Sequence, residues 1–178
     1  MAAEDGKQKG KKGGHLRGWI ESVLEAAGIV LVVFLLCWPV RIQGPSMEGA
    51  LCSGDRVCIS RVLVFAGQLR RGDIVMCKIE ENGHTENIIK RVIGLPGDVI
   101  VVQDGAVLVN GEALFEAYVN GAATAGDVSL TLGKGMYFVM GDNREVSIDS
   151  RVVGPIPKSD IIGKAILQFY PLNKARLY

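Results

Sequence analysis

Ile88-Ile89-Lys90-Arg91-Val92-Ile93-Gly94-Leu95-Pro96-Gly97-Asp98-Val99-Ile100-Val101-Val102-Gln103-Asp104-Gly105-Ala106-Val107-Leu108-Val109 is the stretch whose reading decides the fold. Its β-branched runs are short and end at Pro-Gly-Asp and again at Asp-Gly, which is the punctuation of strands rather than of a helix. Residues 99–102 and 106–109 make a hairpin, because Asp-Gly accepts the positive φ of a tight turn. Residues 88–95 read as the strand before it. The same texture continues outward, with strands expected at 56–60, 73–79, 137–140 and 161–170. No long amphipathic helix and no repeat appears after residue 40. The expectation is a mainly β domain over residues 41–178, an antiparallel sheet folded over on itself or closed like a barrel. Residues 62–66, Val-Leu-Val-Phe-Ala, leave two readings open. They are a core strand, or a loop that dips into a membrane surface with Arg70 and Arg71 at the phosphates.

Upstream the chain changes character. Lys7, Lys9, Lys11, Lys12 and Arg17 crowd the first 17 residues, and residues 26–40 then carry no charge. From Trp19 to Val40 only Glu21, Ser22 and Glu25 interrupt the apolar run. As a helix that span reaches about 33 Å, against a hydrocarbon core of about 30 Å. The run ends Leu36-Cys37-Trp38-Pro39-Val40-Arg41, which offers no small-residue cleavage site and no small residue before Cys37 for lipid attachment. A buried core helix is the alternative. The basic flank and Trp38 favour one uncleaved N-terminal transmembrane helix over residues 18–40. The Gly- and Lys-rich tail, residues 1–17, is expected to be disordered and cytoplasmic, with the β domain on the outer face.

Composition excludes some classes. In 178 residues, 20 Lys and Arg balance 19 Asp and Glu, and the net charge of +1 argues against a nucleic-acid partner. Cys37 falls in the anchor, leaving Cys52, Cys58 and Cys77 as an odd set. They read as buried small hydrophobes, with one disulfide as the alternative in an oxidising compartment. The only histidines are His15 and His84, and no spacing resembles a zinc site, so no metal or cofactor is expected.

Ser46 stands six residues beyond Val40, in Gly44-Pro45-Ser46-Met47. Six extended residues reach at most about 22 Å, so its chemistry must occur near the membrane face. A serine is a weak nucleophile without a base. Lys90, among Ile88, Ile89, Val92 and Ile93, is a candidate, since apolar burial lowers an amine's pKa. The plainer readings are a lysine pointing outward from an edge strand, and a base at His84. A polar loop, Gly141-Asp142-Asn143-Arg144 through Ser147, Asp149, Ser150, Arg151 and Gly154, holds more charge than a turn needs.

Together these segments, with Gly54-Asp55-Arg56-Val57 and Lys90-Arg91-Val92-Ile93-Gly94-Leu95-Pro96-Gly97-Asp98, resemble the type I signal peptidases over residues 16–178. The resemblance implies a membrane-bound serine endopeptidase that removes signal peptides from exported precursors, with a Ser46/Lys90 dyad and no cofactor. It implies that Ser147 orients the lysine and that Asp149 and Arg151 form an ion pair bracing their loop. Ile42, Met47, Leu51, Ile88 and Ile89 would line shallow pockets for small side chains. The implied partners are signal-peptide-bearing precursors, the lipid bilayer of a bacterial-type cell membrane, and the export machinery. The chain departs from the family at Gly44, in the oxyanion region where a serine is frequent, and at Gly49-Ala50, where Pro-Thr is usual. A soluble self-cleaving repressor-type protease and a catalytically lost binding domain are the rival classes; the anchor opposes the first, and Ser46 with Lys90 the second.

Overall fold

The structure, a computed structural model, describes residues 12–81, 83–119 and 123–178. The chain divides into two units, Met1–Leu35 and Leu36–Tyr178. The first is built on helix α1, Lys12–Leu36. Trp19, Ile20, Val23, Leu24 and the run from Ile29 to Val33 are exposed on it, and Arg17 pairs with Glu21 one turn on, at 3.2 Å. Among the described residues no helix is long and apolar enough to cross a membrane. Arg17, Glu21 and Glu25 confine the uncharged part of α1 to its C-terminal half.

The helix begins earlier and ends earlier than expected. Lys12 to Arg17, assigned to a disordered tail, are helical, whereas residues 1–11 lie outside the described set. Trp38, Pro39 and Val40, assigned to the anchor, form strand β1, Trp38–Arg41. Proline explains the break, since it has no N–H to donate and disfavours helix at the residue before it.

The second unit is mainly antiparallel β. Its strands are β2 Arg56–Ser60, β3 Ile74–Glu81, β4 His84–Gly94, β5 Val99–Gln103, β6 Ala106–Val109, β7 Glu112–Ala113, β8 Val128–Thr131, β9 Met136–Met140, β10 Ile156–Pro157, β11 Ile161–Tyr170 and β12 Arg176–Leu177. The large sheet runs β1-β2-β11-β3-β4-β9-β10 with β12 beside β11, and the small one runs β7-β6-β5-β8. The expected hairpin forms as read: Gln103 pairs with Ala106, and Asp104 and Gly105 both have positive φ.

Alternation explains the packing. On β3, Val75, Cys77 and Ile79 enter one core while Ile74 and Met76 enter another, so the large sheet is buried on both faces. A third core joins Phe138 and Met140 to Ile100, Val102, Val107 and Val109. Here the small sheet presses on Gly94, where an added Cβ would lie 2.6 Å from Leu132 Cδ1 and 2.7 Å from Ile100 Cδ1. Only glycine permits that approach.

Two readings of the sequence are corrected. Residues 62–66 are neither a core strand nor an irregular loop; Arg61–Phe65 is a short helix, α2, with Val64 buried and Phe65 exposed. Cys37 and Cys58 are not isolated hydrophobes but a disulfide, with Cα atoms 5.1 Å apart. Pairing of β1 with β2 brings them together, setting Pro39 opposite Cys58. Cys52 and Cys77 are free.

Candidate active site

Ser46 lies in the segment between β1 and β2. Backbone bonds close the base of that segment, with Ile42 N–H donating to Asp55 O at 2.8 Å and Gly54 N–H to Ile42 O at 3.0 Å. Gly44, with φ of +80°, turns the chain, and Leu51 N–H donates to Met47 O at 2.8 Å to hold the tip. Ile42, Met47 and Leu51 are buried beneath it. The loop is therefore anchored by its apolar side chains while Ser46 stays half-buried at the surface.

Lys90 approaches from β4, where it pairs with Val75. Its side chain is buried, and Nζ donates a hydrogen bond to Ser46 Oγ at 2.7 Å. Among the described residues no carboxylate forms an ion pair with it. Burial pushes the pKa of this amine below the ordinary lysine value, against the upward pull of Asp149, Cys77 and Asp142. Burial pushes the thiol of the neighbouring Cys77 up to about 12, which keeps it protonated.

The polar loop after β9 packs on Ser46 directly. Asn143 N–H donates to Ser46 O at 3.1 Å. A Cβ on Gly141 would lie 2.5 Å from that same carbonyl oxygen and 2.2 Å from Ser147 Oγ, so only glycine fits there. Asp149 and Arg151 form the expected pair, Nε to Oδ1 at 2.9 Å, with both side chains nearly inaccessible. Burial would raise the Asp149 carboxyl, but hydrogen bonds from Arg151 and from Gly141 N–H outweigh it and hold the pKa below the usual range. Asp149 also caps the four-residue helix α3, Ser150–Val153. Ser147 is where the expectation is not met. Its Oγ is buried and makes no well-formed hydrogen bond to Lys90 or to another group among the described residues; it lies near the Asp149 carboxylate, whose pKa it helps to lower.

A groove of about 430 Å³ opens beside the Ser46–Lys90 contact. Ile42, Met47, Ile88 and Ile89 line it as expected, whereas Leu51 is fully buried in the core and does not reach it. Val40, Gln43, Met76, Glu86 and Asn87 also contribute, none of which local pattern singled out. One wall has a backbone consequence. Strand β4 pairs with β3 from His84 to Arg91 but with β9 only from Arg91 onward, so residues 84–90 keep one edge unpaired. Such an edge can take an extended peptide as an added strand.

Two further contacts brace the site and escaped the sequence reading of single residues. Arg91 grips Asp142 through two nitrogens, Nε at 2.8 Å and Nη2 at 2.6 Å, under the ring of Tyr118 at 4.0 Å. This ties the strand that carries Lys90 to the loop that supports Ser46. Arg144 is fully enclosed against Glu116 and Thr124, residues distant in sequence, so no local spacing could have announced them. His84 is exposed on β4 and is not among the groove residues. Among the described residues no three His, Cys, Asp or Glu side chains converge as metal donors would.

The family model described as signal peptidase, peptidase S26, matches residues 16–170. Signal peptidase I P of Bacillus subtilis subsp. natto is 37% identical over 96% of this chain and 97% of its own. Signal peptidase I T of Bacillus subtilis is 34% identical over 89% of this chain and 87% of its own. Signal peptidase IB of Staphylococcus aureus is 33% identical over 90% and 92%. With the family matched over nearly the whole chain, this protein belongs to the signal peptidases, peptidase family S26, and is a serine endopeptidase.

Proposed function

We propose that the chain is a membrane-anchored signal peptidase in which Ser46 is the nucleophile and Lys90 the general base, removing N-terminal signal peptides from exported precursors. The observation that carries this reading is the 2.7 Å contact between Ser46 Oγ and a buried lysine whose pKa is lowered by that burial. With its amine neutral, Lys90 takes the Ser46 proton as Oγ attacks the scissile carbonyl. The resulting ammonium gives that proton to the leaving amine, and the neutral lysine then activates water to release the acyl group. The backbone N–H of Ser46 is available to the developing oxyanion, with no hydroxyl at position 44 to assist; one missing donor costs about 10² or more in rate where nothing replaces it. Ser147, whose hydroxyl makes no well-formed hydrogen bond among the described residues, is the group available to hold the amine once Ser46 Oγ has been acylated.

The precursor lies along the free edge of β4, and its side chains meet a shallow floor of Ile42, Met47, Ile88 and Ile89. That floor suits the small residues before a signal-peptide cut. Helix α1, with its exposed apolar side chains and the basic residues before it, serves as a single-pass anchor with a cytoplasmic N-terminus. Ser46 then meets precursors as they leave the export machinery on the outer face. Incubation of the detergent-solubilised protein with a secretory precursor, followed by mass spectrometry, tests the reading. A cut after an Ala-x-Ala sequence is expected; an intact precursor, or cuts elsewhere, would overturn it.

A further inference from the structure

We propose that Arg176 is a positioning residue for Ser46, reaching from β12 to hold the far end of the turn that follows the nucleophile. The inference rests on Ser46 being that nucleophile and adds a residue, distant in sequence, that sets where its backbone stands.

The turn begins one residue after Ser46. Ala50 N–H donates to Met47 O at 3.1 Å and Leu51 N–H to the same oxygen at 2.8 Å, so residues 47–51 move as one piece. Met47 and Leu51 are buried, which fixes how deep that piece sits. Apolar burial is non-directional, so it leaves the tilt of the turn open. The tip has room to swing. Glu48 and Gly49 are exposed, Gly49 has a φ of +112°, and a hollow of about 350 Å³ lies beside them, lined by Ala50, Cys52, Lys174 and Arg176.

Hydrogen bonds are directional, and Ala50 O accepts one here. Arg176 Nη2 donates to it, with Tyr178 Oη 3.4 Å away. The arginine is itself held. It pairs with Gln168 where β12 meets β11, its Nε donates to Tyr178 Oη at 3.0 Å, and its guanidinium lies 4.9 Å from the centre of the Tyr178 ring. Tyr178 Oη is in turn 3.1 Å from Gln168 Oε1. Gln168 is buried and donates from Nε2 to Asp55 Oδ2 at 2.8 Å, and the same carboxylate oxygen accepts Cys52 N–H at 2.9 Å. The turn is therefore clasped twice by the β11–β12 pair, at Ala50 through Arg176 and at Cys52 through Asp55 and Gln168. Strand β11 lies beside β3, and β3 beside β4, so the clasp ties Ser46 to the sheet that carries Lys90. Releasing Ala50 lets the turn tilt and draws Ser46 Oγ from Lys90 Nζ, while the wall of the groove built on β4 stays in place. The loss falls on kcat rather than on KM.

The test uses the full chain in detergent micelles, cleaving a peptide that spans a secretory cleavage site. Arg176→Met keeps the stem beside Tyr178 and removes the donors. Because Arg176 is exposed, melting should match wild type. The expected result is a fall in kcat of about tenfold with KM changed by less than about twofold. Hydrogen exchange read by mass spectrometry should quicken across residues 47–52 and stay unchanged in β2 and β11. Arg176→Lys, which keeps a donor, should recover most of the lost turnover. Wild-type kcat in Arg176→Met would overturn the inference, as would a lysine variant no faster than the methionine one. A fall in kcat that comes with early melting and faster exchange throughout the unit would overturn it too, because that is the mark of a structural role alone. Turnover by Ser46→Ala strikes the nucleophile assignment instead, and the positioning claim with it, while faster exchange at 47–52 would still show the tether.

Discussion

Asp149 and Arg151, two residues apart in sequence, form an ion pair at 2.9 Å with the carboxylate fully enclosed. Removing one partner of such a pair strands the other charge, at a cost of about 3 to 5 kcal/mol. Asp149→Asn is therefore expected to lower the melting temperature by roughly 6 to 20 °C and to reduce activity with it, because Gly141 N–H also depends on the carboxylate. The pH dependence has a definite sign. The folded pKa of Asp149 lies below its unfolded value, so the stabilisation is present above about pH 4 and is lost as pH falls through the folded pKa. Thermal melts of wild type and Asp149→Asn should converge in acid. A constant gap down to the lowest pH would contradict this assignment.

Ser147→Ala should behave in the opposite way. The hydroxyl is buried beside the Asp149 carboxylate with no well-formed hydrogen bond, so its removal is expected to change melting little. As a positioning group for Lys90 it should affect mainly kcat, with KM little changed. Unchanged kcat in Ser147→Ala would remove the residue from the mechanism.

Lys90→Met separates catalysis from stability. Methionine fills a similar volume without a charge, so the variant should be inactive and yet melt higher near neutral pH. The folded pKa of Lys90 lies below the unfolded value of about 10.4, so wild-type stability rises with pH between the two. The advantage of the variant should therefore shrink as pH rises toward the unfolded value. A variant that melts lower than wild type at every pH would mean that the amine is not penalised by burial.

Gly141→Ala probes the contact between the polar loop and Ser46. The added Cβ would sit 2.5 Å from Ser46 O and 2.2 Å from Ser147 Oγ, and the backbone carbonyl can yield only by moving Ser46. A displacement of about 1 Å can cost about 10² in rate. Turnover should fall by about that factor or more while circular dichroism still reports a β fold. Full activity in this variant would show that Ser46 tolerates a shift of its backbone.

What could be read from sequence follows the range of the interactions involved. Strands β2 and β11 match expectation to the residue, with Gly54-Asp55 just before the first and Pro171 just after the second as local punctuation. The hairpin at Asp104-Gly105 was equally local. Strand β1 was hidden because its apolar residues continue the run of α1 without a break, and the Cys37–Cys58 bond was hidden with it. Helix α2 spans five residues, too few for a 3.6-residue period to show. Ser46, Lys90, Asp149 and Arg151 were legible as a set through resemblance, but Leu51 and Glu86 were not. Whether a side chain faces the core or the groove is fixed by how the loop holding Ser46 closes onto β4.

The most direct test of the account is turnover of a secretory precursor by wild type, Ser46→Ala and Lys90→Arg, measured across pH. Lys90→Arg preserves a cation at the site but supplies no base, since a guanidinium stays protonated. Wild-type activity should rise with pH through one ionisation below the ordinary lysine value, as the burial of Lys90 requires, and both variants should be inactive throughout. Turnover by Lys90→Arg with a wild-type pH profile would contradict the Ser46/Lys90 dyad.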